Sequence, residues 1–269
     1  MAKVELVHWN PSRPIIPGRF GRFLPRKPVD NFGDLLGPAI VERILHVRGI
    51  SSESAPDRRR LLSVGSILHF AEDGDTVWGT GVNGKKLHGD PPFRSLDVRA
   101  VRGPLTRSYL QGLGIPAPEV YGDPGLLVGH LWTREELAVG YEDHDHIVLP
   151  NFHDFPAAKR SPALVNPRDP LWSVIGRIAS SKFVVGSSLH AMIVAESLGI
   201  PARLVISKTE PIFKFDDYYQ GTGREGAEPA HTVEEALRMG GQEAPRWLPG
   251  PLLDSFPADL WAAPATSAR

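Results

Sequence analysis

The feature that most constrains this chain is a repeated local pattern in which a short apolar run stops at glycine or serine and a helical pattern follows. KFVVGSSLHAMIVAESLGIPA, residues 182–202, shows it most completely. KFVVG reads as a strand and the two serines as a turn. Ser187 to Leu198 reads as a helix, stopped by Gly199 and Pro201. Strand, turn and helix in alternation imply a parallel sheet, because parallel neighbours need a crossover long enough to hold a helix.

The same pattern recurs along the chain. VELVHW (4–9), LLSVGSIL (61–68), DTVWGTGV (75–82), LDVRAVRG (96–103) and EVYGDPG (119–125) are predicted strands. In NFGDLLGPAIVERILHVRGI, Leu36, Ile40, Ile44 and Val47 share one helical face, Asn31 or Asp34 can cap the start, and Gly49 follows the end. GPLTRSYLQGLG is a second predicted helix. After the polar, acidic stretch 133–145 a second set begins: strand HIVLPNF, helix DPLWSVIGRIASS, strand KFVVGS, the helix from Ser187, strand ARLVIS, and helical patterns at FKFDDYYQ and TVEEALRM. The predicted fold is α/β, with two Rossmann-like halves facing a cleft. The halves are an N-terminal domain at 1–130 and a C-terminal domain at 131–269 that ends in a proline-rich tail. PSRPIIPGRFGRFLPRKPVD, which follows the first strand, is too rich in proline and glycine for a helix and reads as a basic loop.

Composition narrows the chemistry. With zero cysteines there is no disulfide, thiolate zinc site or cysteine nucleophile, so any nucleophile is oxygen or nitrogen. A formal net charge of −1 provides no global attraction to nucleic acid or an anionic membrane, although local arginines can still hold a small anion. No run approaches the ~18 apolar residues of a membrane span, and the N-terminus lacks an apolar signal core. The expectation is a soluble, cytoplasmic protein.

Several residues are candidates for chemistry. His190 falls in the first turn of a helix, with Ser187 or Ser188 as N-cap, at the carboxyl end of a strand; there unpaired N–H groups favour an anion. Serines that only cap and a purely structural His190 fit the pattern equally. Gly79, Gly81 and Gly84 have G-x-G-x-x-G spacing, but Gly89, Pro91 and Pro92 stand where a phosphate-binding helix would begin. That leaves a tight turn or a close backbone approach to a ligand. Arg102, at a strand end beside a helix start, is a better anion clamp than Arg99 or Arg107. Asp34 and Asp123 are caps or ligand contacts, and Lys214, Asp216, Asp217 and Tyr218 can close the cleft. His144 and His146 lie two apart without an evident third metal ligand.

Taken together, NFGD, VGSIL, VWGTGV, AVRGPLTR, YGDPGLL, VVGSSLHAMIVAESLGIPA and KFDDYY resemble, in order, the polysaccharide pyruvyl transferase family over roughly residues 30–220. The resemblance implies a glycosyltransferase-B-like fold and transfer of a pyruvyl group from phosphoenolpyruvate onto two hydroxyls of a saccharide as a cyclic ketal. The implied setting is exopolysaccharide or cell-wall polymer synthesis, with an acceptor that can be lipid-linked and so bring the protein to a membrane surface. It implies no metal and no cofactor beyond phosphoenolpyruvate as donor. His190 and Arg102 are then the expected catalytic residues, and Gly79, Gly81, Ser187, Ser188, Asp34, Asp123 and Lys214 the expected substrate contacts. Some members carry arginine before the Leu-His pair where this chain has Ser188, so Arg13, Arg19 or Arg22 of the basic loop are candidates to compensate. Two alternatives stand beside this reading: a sugar-nucleotide glycosyltransferase of the same architecture, and a catalytically silent saccharide- or phosphate-binding module.

Overall fold

A computed structural model of the chain describes residues 4–14, 25–52, 59–85 and 89–262. The first half contains β1 (Glu5–Val7), β2 (Ser12–Pro14), β3 (Arg26–Pro28), α1 (Phe32–Val47), β4 (Arg60–Leu62), β5 (Thr76–Trp78), β6 (Asp97–Ala100), α2 (Pro104–Gly112), α3 (Val128–Leu131) and α4 (Arg134–Ala138). The second contains β7 (Ile147–Val148), α5 (Leu171–Ala179), β8 (Val184–Gly186), α6 (Leu189–Ser197), β9 (Ala202–Leu204), α7 (Phe213–Gly221), α8 (Val233–Met239) and α9 (Pro249–Asp254).

The alternating pattern yields two parallel sheets, ordered β1-β4-β5-β6 and β7-β8-β9. Their strands are only two to four residues long, so each predicted run is partly strand and partly the turn that leaves it. The boundary expected near residue 130 falls within α3. α6 is buried on nearly every side by Leu189, Ala191, Met192, Ile193, Val194 and Ala195, as an all-apolar helix must be. It belongs to one large cluster that also takes in Phe32, Leu36 and Ile40 of α1, Trp78 of β5 and Ile175 of α5. The core therefore runs through both halves. A smaller cluster with Leu62, Val77, Val101 and Leu110 fills the space beneath α2.

Three sequence expectations differ from the structure. EVYGDPG forms a single parallel bridge, Val101 to Tyr121, and then a 3-10 turn over Pro124–Leu127 capped by Asp123, whose carboxylate accepts from Gly125 N at 2.9 Å. Pro124 lacks the N–H a continuing ladder needs. Within the stretch read as a loop, β2 and β3 pair antiparallel in register Arg13 to Lys27, with residues 15–24 outside those described. A two-stranded ribbon tolerates Pro14 and Pro28 because its outer groups need no partner strand. The tail also does more than end the second domain. It returns to the first half, where Trp78 Nε1 donates to Leu252 O at 2.9 Å, Trp78 and Phe256 pack edge-on, and Arg99 reaches Asp259. Among the described residues no helix is long and apolar enough to cross a membrane.

Candidate functional site

Both sheets direct the carboxyl ends of their strands at one cavity of ≈ 220 Å³. Trp9 follows β1, Ser66 and Ile67 follow β4, and Asn83 and Lys85 follow β5. From the second sheet, Asn151, Phe152 and His153 follow β7, Ser188, Leu189 and His190 follow β8, and Glu210 and Lys214 follow β9. Asn31 and Asp34 come from the start of α1. Convergence of strand ends is the usual place for a ligand in parallel sheets, because loops there can vary without disturbing the ladder.

His190 is fixed from several directions. Ser188 is the N-cap of α6 and accepts from Ala191 N, so the imidazole sits on the second helical residue. A Cβ at Gly33 would overlap Nδ1 of the ring, so glycine there lets the backbone pass close, while Gly65, with a φ of +103°, turns the chain beside Nε2. Phe32 stands edge-on to the imidazole at 6.5 Å. Although the residue as a whole is partly exposed, Nε2 is sealed from solvent and has no hydrogen-bond partner among the described residues. Burial, reinforced by Lys214 and Arg102, pushes the imidazole pKa from 6.5 down to about 3. At neutral pH the ring is uncharged.

The cavity holds charges of both signs. Lys214 donates to Glu210 at 2.9 Å, and Lys85 donates to the other Glu210 oxygen. Burial lowers the Lys214 pKa while Glu210 opposes it. Burial alone would raise the Glu210 pKa, but the two lysines outweigh it and hold the carboxyl below its usual range. Asp34 has the opposite balance: burial dominates, only partly offset by the bond from Asn31, and its pKa rises to about 6.

Arg102, expected to clamp an anion, lies one layer behind the wall. It is 0% exposed and ion-paired at 3.0 Å with Asp217, itself 0% exposed. Its other nitrogens donate to Ser66 Oγ at 2.6 Å and to Val82 O at 2.9 Å. Asp217 also accepts from Thr106 N at 2.9 Å and Thr106 Oγ1 at 2.7 Å, tying α7 to α2. Arg102 therefore positions Ser66 and the loop that carries Asn83 and Lys85. Gly79 and Gly81 do not line the cavity: Gly79 packs on Pro124 and Gly122, and Gly81 leaves room for the Arg102 guanidinium. Asp123 is buried against Gly125 N and Gly65 N, and burial raises its pKa to about 6. Ser187 faces away from the cavity, donating to Asp154 at 2.7 Å and accepting from Asn151 N at 3.1 Å.

Of the expected contacts, then, Asp34, Ser188, His190 and Lys214 meet in the cavity, whereas Arg102, Asp123, Ser187, Gly79 and Gly81 support it from behind. Asp217 and Tyr218 are buried structural partners, the latter donating to Glu196 at 2.5 Å, and Asp216 holds Ala227 N at 3.0 Å. Arg13 stacks over Trp9 at 5.8 Å, while Arg19 and Arg22 lie outside the described residues. His144 is engaged in a backbone bridge to Ser181, and His146 lines a separate cavity. No group of three His, Asp or Glu among the described residues could hold a metal. Sequence reading missed Ser66, Asn83, Lys85, Asn151 and Glu210. Each follows a parallel strand, which was the available signal.

Residues 76–208 match the family model described as "Polysaccharide pyruvyl transferase". The chain is 29% identical over 196 residues to the succinoglycan biosynthesis protein ExoV of Rhizobium meliloti (strain 1021), an alignment spanning 67% of this chain and 60% of that protein. It is also similar, at 11% identity and a TM-score of 0.43, to the crystal structure of a functionally uncharacterised protein from Klebsiella pneumoniae, covering 81% of this chain and 87% of the other.

Proposed function

We propose, from the match of residues 76–208 to the polysaccharide pyruvyl transferase family model and the similarity to a succinoglycan biosynthesis protein, that this chain moves the pyruvyl group of phosphoenolpyruvate onto two hydroxyls of a saccharide in polysaccharide synthesis. The supporting observation is the unpartnered, buried Nε2 of His190 in a small cavity that also contains two lysines and a helix start. A volume of ≈ 220 Å³ lies below the ~300–1,000 Å³ of sites for larger ligands and suits a three-carbon phosphate. In this reading the two α/β halves form a glycosyltransferase-B-like frame, and no cofactor is used.

The donor carries a phosphate and a carboxylate. Lys85, Lys214 and the N–H groups at the start of α6 are placed to hold them, with Ser66 oriented by Arg102. A proton added to the methylene leaves the central carbon cation-like. One hydroxyl then attacks it and loses its proton; the C–O bond to phosphate breaks, and the second hydroxyl closes the ring and loses its proton. One of the two hydroxyl protons balances the proton on the new methyl group, and the other leaves on phosphate. His190, neutral in the unliganded cavity, takes the proton of the attacking hydroxyl. Asp34, whose pKa of about 6 keeps a protonated fraction near neutrality, is the candidate donor to the methylene. Burial is the main cause of the depressed His190 pKa, and an anion held by Lys214 offsets the smaller part that comes from that lysine, so the basicity of the ring rises when the donor binds.

The test is phosphate release from phosphoenolpyruvate with a panel of free and lipid-linked glycans, alongside mass analysis of the sugar, for the native chain and His190→Ala. Release coupled to new pyruvyl mass and abolished in the variant is expected. With acceptors competent for a related transferase, no release from phosphoenolpyruvate combined with turnover of a sugar nucleotide would overturn the proposal.

A further inference from the structure

Beside the cavity that contains His190 runs a trough of ≈ 670 Å³, lined among others by Phe152, His153, Phe155, Arg160, Asn166 and Arg168. Phe152 and His153 line both spaces, so the trough adjoins the proposed donor site. Past Phe152 and Arg168 it continues into a hollow of ≈ 250 Å³ that adds Arg13 and Lys27 of the β2–β3 ribbon. Among the described residues no carboxylate lines either space. Arg60, Arg99, Arg203 and Arg224 are each paired with a carboxylate. In contrast, Arg13, Lys27, Arg160 and Arg168 have no ion pair with any described residue, and all four side chains are exposed.

The positions of these cations are set by neutral contacts. Arg160 lies over the Phe155 ring at 5.3 Å, Arg13 over Trp9 at 5.8 Å, and Arg168 Nε donates to Val29 O at 2.9 Å. Trp9 and Phe152 meet edge-on at 5.7 Å where the trough joins the cavity. Arginine forks with free N–H groups suit the oxygens of phosphate or carboxylate, and aromatic faces suit the apolar faces of a sugar ring.

We propose that this trough is the acceptor subsite and that it selects a saccharide bearing an anionic group, which Arg160 and Arg168 hold while the sugar's hydroxyls enter the cavity beside His190. The inference rests on the pyruvyl transferase reading for the identity of the cavity, but the binding chemistry of the trough stands apart from it. The anionic group is either a phosphate or diphosphate on the reducing end or a uronate within the glycan.

Three acceptors of one disaccharide core separate the cases: lactose, lactose 1-phosphate, and galacturonyl-glucose. Each is titrated calorimetrically into the native protein, Arg160→Gln, and the double variant Arg160→Gln with Arg168→Gln, and KM is measured wherever phosphate is released from phosphoenolpyruvate. At least one anionic acceptor is expected to bind roughly tenfold or more tightly than lactose, and each substitution to weaken that binding several-fold. Binding of lactose, which lacks the anionic group, is expected to stay unchanged. Arg160→Gln alone serves as the folding control, since Arg160 lies over the Phe155 ring whereas Arg168 also holds the backbone at Val29. Tighter binding of only the phosphate or only the uronate identifies the source. Equal binding of all three acceptors, or an anion preference unchanged in both variants, refutes the proposal. Retained anion preference together with no phosphate release from phosphoenolpyruvate, even with an acceptor competent for a related transferase, would instead remove the pyruvyl transferase reading and leave the trough standing.

Discussion

Replacing Asp217 with Asn tests whether Arg102 is a buried support or a ligand clamp. In the native chain the Asp217 carboxylate receives Arg102 Nε at 3.0 Å, Thr106 N at 2.9 Å and Thr106 Oγ1 at 2.7 Å, and neither partner of the ion pair is exposed. Asparagine keeps the shape and one acceptor oxygen, but it removes the charge and turns an amide toward two donors. The guanidinium is then buried without compensation. Losing one partner of a buried pair costs about 3–5 kcal/mol. For a chain of this size that corresponds to a fall in Tm of roughly 6–20 °C. Urea unfolding followed by circular dichroism reads the loss, and replacing both residues (Arg102→Met with Asp217→Leu) is expected to be more stable than Asp217→Asn, because no unpaired charge remains. Because Arg102 also positions Ser66, surviving Asp217→Asn protein is expected to show a raised KM for phosphoenolpyruvate. A loss under about 1 kcal/mol would show that the pair does not hold the wall of the cavity.

Three further outcomes follow from the cavity. The depressed pKa of His190 makes its neutral form part of the fold, so this contribution is fully present above pH 6.5 and is lost as pH falls toward about 3; His190→Gln is expected to show a weaker drop in urea midpoint over that range. Asp34 works in the other direction, since its raised pKa contributes stability below pH 3.8 that disappears as pH rises through about 6. Asp34→Asn should therefore flatten the stability profile between those values and, in the proposed mechanism, slow turnover without weakening donor binding. Gly33→Ala places a methyl group against Nδ1 of His190, and a large loss of turnover with a native circular dichroism spectrum is expected; full activity would show that the ring moves freely.

Much of the frame is legible in the sequence because parallel strands and their helices carry local signals. Gly186, Ser187 and Ser188 after an apolar run, followed by an apolar helix, place His190 at a helix start without reference to any distant residue. The role of Arg102 is not legible in this way. Its position at a strand end suits a ligand clamp, but Asp217, 115 residues later, occupies the guanidinium, and only the packing of α7 on α2 brings them together. Asp123 and Ser187 were misplaced for a related reason. Ser187 stands one residue before cavity-lining Ser188 and the turn sends its side chain to Asp154, while the Asp123 carboxylate is taken up by the backbone N–H groups of Gly125 and Gly65. The β2–β3 ribbon escapes pattern reading because three-residue strands ending in proline carry too little alternation. The basic trough is likewise a property of assembly, joining Arg13 and Lys27 to Arg160 and Arg168 from the far half of the chain.

The most direct measurement uses phosphoenolpyruvate labelled with carbon-13 at its central carbon, incubated with the protein and a glycan acceptor and followed by NMR. Appearance of the label as a ketal carbon bonded through oxygen to the sugar, with one phosphate released per ketal and no signal from His190→Ala, is the expected result. Label that remains in phosphoenolpyruvate or emerges only as free pyruvate, with an acceptor competent for a related transferase, would contradict ketal transfer by this cavity.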